Sequence, residues 1–368
     1  MNDISHILFT PFQMGSYELK NRIVALPVFS GYADTDGRVT ELLLEHYAGL
    51  AASGVAMVVV ANAAVSADGK TSAHSLRADN EDFIPGLARL AQVIQQNGAL
   101  ACLQLNHAGQ YAQADQPRLC ASPQARHLRF KVSAFKEFME FFPLEERYAL
   151  TRRFLRQANT WRRGMTATEQ EQVIAEFCQA ADRACRAGFD MVELHGANDY
   201  LICQFLSAFT NSALSNVLLD LEQRCVFPLA LVRAVKQQLP AGFPVGFRLM
   251  LSEWVPEGIN LDQAMAFAAK LATAGITYLS PSAGTFNSIF RPEIRARMNR
   301  PDYLCQEIAA LTRCVQLPTI AVGRIHTPAQ AARLISEKTA DLIGLGRALR
   351  ADPKWVRKAQ RQDQKIIS

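Results

Sequence analysis

The chain has 368 residues, 49% hydrophobic and 20% charged, with 39 Lys and Arg against 34 Asp and Glu for a net charge of +5. That balance excludes a disordered chain, and 8 cysteines over this length exclude a disulfide-framed mini-protein. Two domains of roughly 150 residues would fit the length, but α/β barrels run longer than that as one unit.

The start, Met1 to Ile7, has neither a basic stretch nor an apolar core, so no signal peptide is expected. The longest apolar run, Gly54 to Val65, is shorter than the roughly 20 residues that cross a bilayer. The cysteines form no C-x-x-C pair, and His6, His46, His74, His127 and His326 show no metal-ligand spacing. A cytoplasmic protein without membrane partner or metal centre is expected.

In chain order, short apolar runs predict strands at Ile23–Leu26, Ala56–Ala61, Ala99–Leu105, Met191–His195, Val245–Leu249, Tyr278–Ser280, Thr319–Val322 and Leu342–Leu345. Between them, helical patterns fall at Glu41–Ser53, Ile84–Asn97, Thr168–Ala187, Glu222–Gln238, Leu261–Ala274, Asp302–Val315, Pro328–Ser336 and Asp352–Gln360. Thr168 stands three residues before Glu171, the spacing of a capping box, and Gly54, Gly98, Gly188 and Gly275 mark helix ends. Eight strands alternating with eight helices predict a (β/α)8 TIM barrel, one domain over residues 1–368. The rival, a doubly wound sheet, calls for a Gly-rich turn after the first strand, and Pro27-Val28-Phe29-Ser30-Gly31 is not one.

One connection is out of scale: roughly sixty residues follow the third strand, and loops that long usually carry function or their own structure. Residues 111–165 are therefore read as an insertion, partly helical, lying over the C-terminal face of the barrel where active sites sit. The charge is concentrated there. Residues 126–163 hold ten Lys and Arg against four acids, interleaved with eight aromatic side chains. Two readings stay open: a solvated helical pair packing its aromatics on the barrel, or a basic lid attracting a polyanionic ligand. Neither points to nucleic acid.

The chemistry-bearing residues cluster at strand ends. The fourth strand runs into His195, Asn198 and Tyr200: two groups able to donate to one oxygen anion, and a phenol able to give up a proton. After strands seven and eight stand Gly323-Arg324 and Gly346-Arg347, each a close backbone approach followed by a guanidinium, where barrels hold phosphates. Gln104 and Arg248 end strands three and five. Inward polar groups there suit a polar heterocycle that develops negative charge, while an ion pair with a strand carboxylate remains the structural alternative for Arg248.

In this order, several strings resemble the Old Yellow Enzyme family of FMN-dependent NADH:flavin oxidoreductases and ene-reductases. They are Leu8-Phe9-Thr10-Pro11, Leu19 to Val24, Gln104 to Gly109, Ala187 to Asp190 with His195 to Asn198, Gln204 to Ser207, and Gly346 to Leu349 with Ala351-Asp352-Pro353. The resemblance implies FMN over the barrel mouth, lined by backbone at Ala25, Leu26, Pro27, Val28 and Ala61. Gln104 would bond its pyrimidine side and Arg248 would stabilise charge near N1, with Gly323, Arg324, Gly346 and Arg347 on the phosphate. NADH or NADPH would serve as reductant and an enone or enoyl thioester as small-molecule acceptor, in a ping-pong order. His195 and Asn198 would polarise the carbonyl, and Tyr200 would protonate the α-carbon.

The chain also departs from the family. Ser212 to Asp220 replaces a stretch that usually holds Tyr-Gly-Gly-Ser, which bears on the fourth loop and on homo-oligomer contacts. Phe29 stands where members often carry a flavin-tuning Thr or Cys. Larger relatives carry a four-cysteine segment after the barrel. This chain has none before Ser368, so no iron–sulfur cluster and no second dinucleotide domain are expected. Two alternatives remain open: a degenerate FMN-binding protein with a non-catalytic role, and a non-redox barrel lyase or isomerase.

Overall fold

The computed structural model describes residues 4–113, 117–122, 162–211 and 219–361. The eight barrel strands are β1 (Ile23–Ala25), β2 (Met57–Ala64), β3 (Leu100–Asn106), β4 (Met191–Gly196), β5 (Val245–Ser252), β6 (Tyr278–Ala283), β7 (Ile320–Ala321) and β8 (Leu342–Leu345). All pair in parallel, in the order β6-β5-β4-β3-β2-β1-β8-β7. A parallel bridge between Leu279 and Thr319 joins the two ends and closes the barrel. This is the (β/α)8 architecture the strand count predicts.

The helices follow from amphipathic spacing and capping. They are α1 (Glu41–Ala52), α2 (Ile84–Gln96), α3 (Ala167–Arg186), α4 (Leu221–Gln238), α5 (Leu261–Thr273), α6 (Cys305–Cys314), α7 (Pro328–Ser336) and α8 (Trp355–Gln360). In α3 the buried residues are Val173, Phe177, Ala180, Ala181 and Ala184, a single stripe that packs on the sheet. Its capping box is formed by Thr166 and Glu169 rather than by Thr168 and Glu171. Both pairs have the right spacing, but Thr166 alone has the extended backbone that a cap requires. The sixth and eighth helices also start three residues later than their patterns suggest. Asp302 adopts a left-handed φ of 56°, and Asp352 is extended and caps its turn through the Lys354 amide.

The opposite end of the barrel is closed by a hairpin of Phe12–Met14 and Tyr17–Leu19, whose Met14 and Leu19 are fully buried. The helix-like runs expected at residues 134–159 lie outside the described residues, as do the basic segment up to Trp161 and Ser212 to Leu218. The described residues of the insertion include a short parallel pair, Arg118–Cys120 with Arg162–Gly164. Among the described residues no helix is long and apolar enough to cross a membrane.

Close packing in the interior requires glycine at Gly246. Gly246 of β5 lies beside Tyr278 of β6, and a Cβ there would come within 2.1 Å of the tyrosine ring. Gly246→Ala is expected to cost about 1–3 kcal/mol through overpacking, read as a lower urea midpoint. An unchanged midpoint would show that the ring can move aside.

Candidate active site

Strand alternation decides which side chains face the barrel interior. The register sets Gln104 opposite Glu193, His195 opposite Arg248, and Arg248 opposite Ser280. A polar cluster results. The Glu193 carboxylate, fully buried, accepts hydrogen bonds from Gln104 Nε2 at 2.6 Å and the Tyr278 hydroxyl at 3.1 Å. Burial pushes the Glu193 pKa up, and the Arg248 guanidinium pulls the other way. Arg248 itself donates from Nη1 to Ser280 Oγ at 2.7 Å. Its electrostatic partner is thus a strand carboxylate, while its direct bond is to a hydroxyl.

His195 is 4% exposed. Its Nδ1 accepts the Ala197 amide hydrogen at 3.2 Å, which leaves the proton on Nε2 as a donor. Burial, and then the Arg248 charge, pull its pKa down to about 3, so the ring is neutral near pH 7. Its ring meets that of Tyr200 edge to face, with centroids 4.8 Å apart. Asn198 Oδ1 accepts from Ser282 Oγ at 3.4 Å, which turns the amide so that Nδ2 remains a donor. Tyr200 is half-buried at the start of the short helix Leu201–Leu206. His195, Asn198 and Tyr200 therefore share one turn.

A cleft of about 200 Å³ opens beside this turn. Leu26, Pro27 and Val28 form one wall, Arg248 and Ser282 another, and Gly323, Arg324, Gly346 and Arg347 its far end. His195, Asn198 and Tyr200 do not line the cleft themselves; Ser282, which lines it and donates to Asn198, links the two groups of predicted residues. The glycines give the far end its shape. Gly323 has a φ of 116°, and a Cβ on Gly346 would approach Val28 Cγ2 to 3.2 Å. Arg324, also left-handed at 55°, is anchored by Asn299 Oδ1 at 2.7 Å.

Ala25, Ala61 and Gln104 do not line this cleft. Ala25 lines the adjoining depression with Phe29, a residue that is 43% exposed. The Ala61 amide already donates to the Tyr47 hydroxyl at 2.7 Å. Gln104 lies in the interior, 1% exposed.

Reading the sequence missed Glu193, Asn106 and Asp199. Glu193 was detectable as a carboxylate two residues before His195, in the same inward phase of an apolar run. Asn106 is two residues beyond Gln104 in that same phase; it is 1% exposed, and among the described residues neither amide atom has a partner. Among those residues no group of three or more His, Cys, Asp or Glu is arranged to hold a metal.

Fold and site together define a parallel barrel with a cationic, glycine-lined cleft and a neutral donor set at its mouth. The chain belongs to the NADH:flavin oxidoreductase / NADH oxidase family, the Old Yellow Enzyme family, whose model matches residues 7–365. The cofactor of this family is FMN, with NADH or NADPH as reductant. The chain is 32% identical over 364 residues to an NADH oxidase of Thermoanaerobacter brockii, covering 98% of this chain and 52% of that protein. It is 33% identical over 360 residues to an NADH:acrylate oxidoreductase of Vibrio harveyi, covering 95% of this chain and 32% of that one. The chain thus spans about half or less of these two curated relatives. Among solved structures, a 2-naphthoyl-CoA reductase bound to 2-naphthoyl-CoA superimposes with a TM-score of 0.84 at 21% identity, over 97% of this chain and 52% of that one.

The buried neutral histidine has a consequence for stability. Its folded pKa of about 3 lies below the ordinary 6.5, so the unfolded chain binds this proton first as pH falls. The contribution is complete above pH 6.5 and is lost toward pH 3. Between pH 7 and pH 4.5 the wild type should lose about 2–3 kcal/mol more stability than His195→Asn in urea unfolding. Parallel losses would show that His195 is protonated in the fold.

Proposed function

We propose that the chain reduces the C=C bond of α,β-unsaturated carbonyl compounds, enoyl thioesters included, with NADH or NADPH in a ping-pong order. The observation that carries this reading is the grouping of neutral His195, Asn198 and Tyr200 on one turn against the cleft that ends at Arg324 and Arg347. The acrylate and naphthoyl-CoA named for two similar proteins support the acceptor class.

The residues present fit FMN. Arg347 and Arg324, beside Gly323 and Gly346, supply guanidinium and close backbone contacts for a phosphate. Leu26, Pro27 and Val28 offer an apolar wall for a flat ring, with Ala25 next to it. Arg248 supplies positive charge where the heterocycle gains electrons. Gln104 gives its Nε2 to Glu193, so Oε1 is the group left to accept from a ring N–H. When bound, FMN supplies hydride transfer between the nicotinamide and the acceptor.

The chain's own groups do the rest. His195 Nε2 and Asn198 Nδ2 donate to the acceptor's carbonyl oxygen, stabilising the charge that develops there. The neutrality of His195 suits it to donate without surrendering its proton. Tyr200 gives a proton to the α-carbon, and its edge contact with His195 orients the phenol.

Stopped-flow kinetics of Tyr200→Phe tests this reading. Reduction by the nicotinamide should stay within about twofold of wild type, while reoxidation by cyclohexenone should slow about 10²–10⁴-fold. Unaltered reoxidation would remove Tyr200 from the acid role.

A further inference from the structure

We propose that the Asp199 carboxylate is a positioning group that ties the turn carrying Asn198 and Tyr200 to the loops after β3 and β6. The inference rests on the ene-reductase reading for its consequence and on geometry for its existence.

Asn198 and Asp199 are successive non-glycine residues at φ 57° and 59°. Left-handed backbone costs such residues about 1 kcal/mol or more each, and it persists only where surrounding contacts impose it. Those contacts converge on Asp199, which is fully buried. Its Oδ2 accepts from Gln110 Nε2 at 2.9 Å, the Tyr111 hydroxyl at 2.7 Å and Asn287 Nδ2 at 3.1 Å. Two of these donors come from the loop after β3 and one from the loop after β6. The Asp199 backbone carbonyl accepts from Gln204 Nε2 at 2.7 Å, and Gln204 Oε1 takes the Gln110 amide hydrogen at 3.3 Å. Arg162, where the insertion returns to the barrel, donates to Gln110 Oε1 at 3.0 Å. The side chain between Asn198 and Tyr200 is thus the junction of three loops.

The arrangement uses one oxygen of the carboxylate. Among the described residues Oδ1 has no hydrogen-bond partner. The second buried carboxylate facing it, Glu253, is held by Ser207 Oγ and the Ile259 amide. Burial raises the Asp199 pKa, and Glu253 raises it further. An amide with a single acceptor oxygen therefore reproduces what the site uses. Glycine keeps the left-handed turn at no steric cost but removes the acceptor. Asp199→Asn and Asp199→Gly separate the side chain's role from the backbone's.

The test compares wild-type holoenzyme with both variants by hydrogen exchange of segments 107–113, 196–206 and 284–290, and by the two half-reactions. Asp199→Gly should lose exchange protection in all three segments. Its reoxidation by cyclohexenone should slow by about 10²-fold, the scale of a 1 Å misplacement, with nicotinamide-driven reduction within about twofold. Asp199→Asn should retain both protection and reoxidation. Should Asp199→Gly not fold, Tyr111→Phe removes one donor and should shift protection and reoxidation in the same direction, more weakly. Wild-type behaviour in Asp199→Gly, or equal loss in Asp199→Asn, would overturn the proposal. A wild type that cyclohexenone does not reoxidise would defeat the ene-reductase reading, and the exchange comparison would still decide the positioning role.

Discussion

A carboxylate and a guanidinium stand inside a barrel of otherwise apolar strands, and the rest of the mouth is arranged around them. Burying such charges is costly unless each is met by opposite charge and hydrogen bonds, and breaking a buried pair costs about 3–5 kcal/mol. Glu193 is met by Gln104 and Tyr278, and Arg248 by Ser280. Tyr278 reaches its place because Gly246 has no side chain. The polar cluster therefore constrains four consecutive strands, β3 to β6. It also places positive charge in the wall of the cleft, and burial together with that charge keeps His195 neutral.

Two halves meet above that cluster. One comes from β1, β7 and β8: an apolar wall, two glycines and two arginines, suited to a flat ring with a phosphate tail. The other comes from β4, whose end turns through two left-handed residues into Tyr200. On the proposed reading the first half would bind and orient the cofactor, and the second would donate hydrogen bonds and a proton. Ser282 of β6 touches both. A barrel suits this division because each strand end fixes one group while the loops remain separate.

The fold was largely legible in the sequence because buried parallel strands read as continuous apolar runs and the helices between them carry caps and stripes. The errors fell where two candidates competed locally. Thr166 and Thr168 each stand three residues before a glutamate, and only tertiary packing of α3 selects between them. At the site, Gly323 and Arg347 follow strand ends, as their sequence positions suggest, and line the cleft; Arg248 reads as ending its strand, but β5 runs on to Ser252 and leaves it within the strand. Glu193 was hidden inside an apolar run, and its meaning depends on Gln104 and Tyr278, which are remote in sequence. Asp199 reads as an ordinary turn residue until Tyr111 and Asn287 are brought to it. Gln104 reads as an inward polar group facing the same cavity as Arg248; it lies in the interior outside the cleft, with its Nε2 committed to Glu193, which no local pattern reveals.

The most direct test of this account is an anaerobic titration of the freshly purified protein, followed by its visible flavin absorbance. One FMN per chain should be present, be bleached by NADH or NADPH, and regain its absorbance on addition of an α,β-unsaturated carbonyl compound. A colourless protein that takes up no added FMN, or a reduced flavin that such a compound leaves bleached, would contradict it.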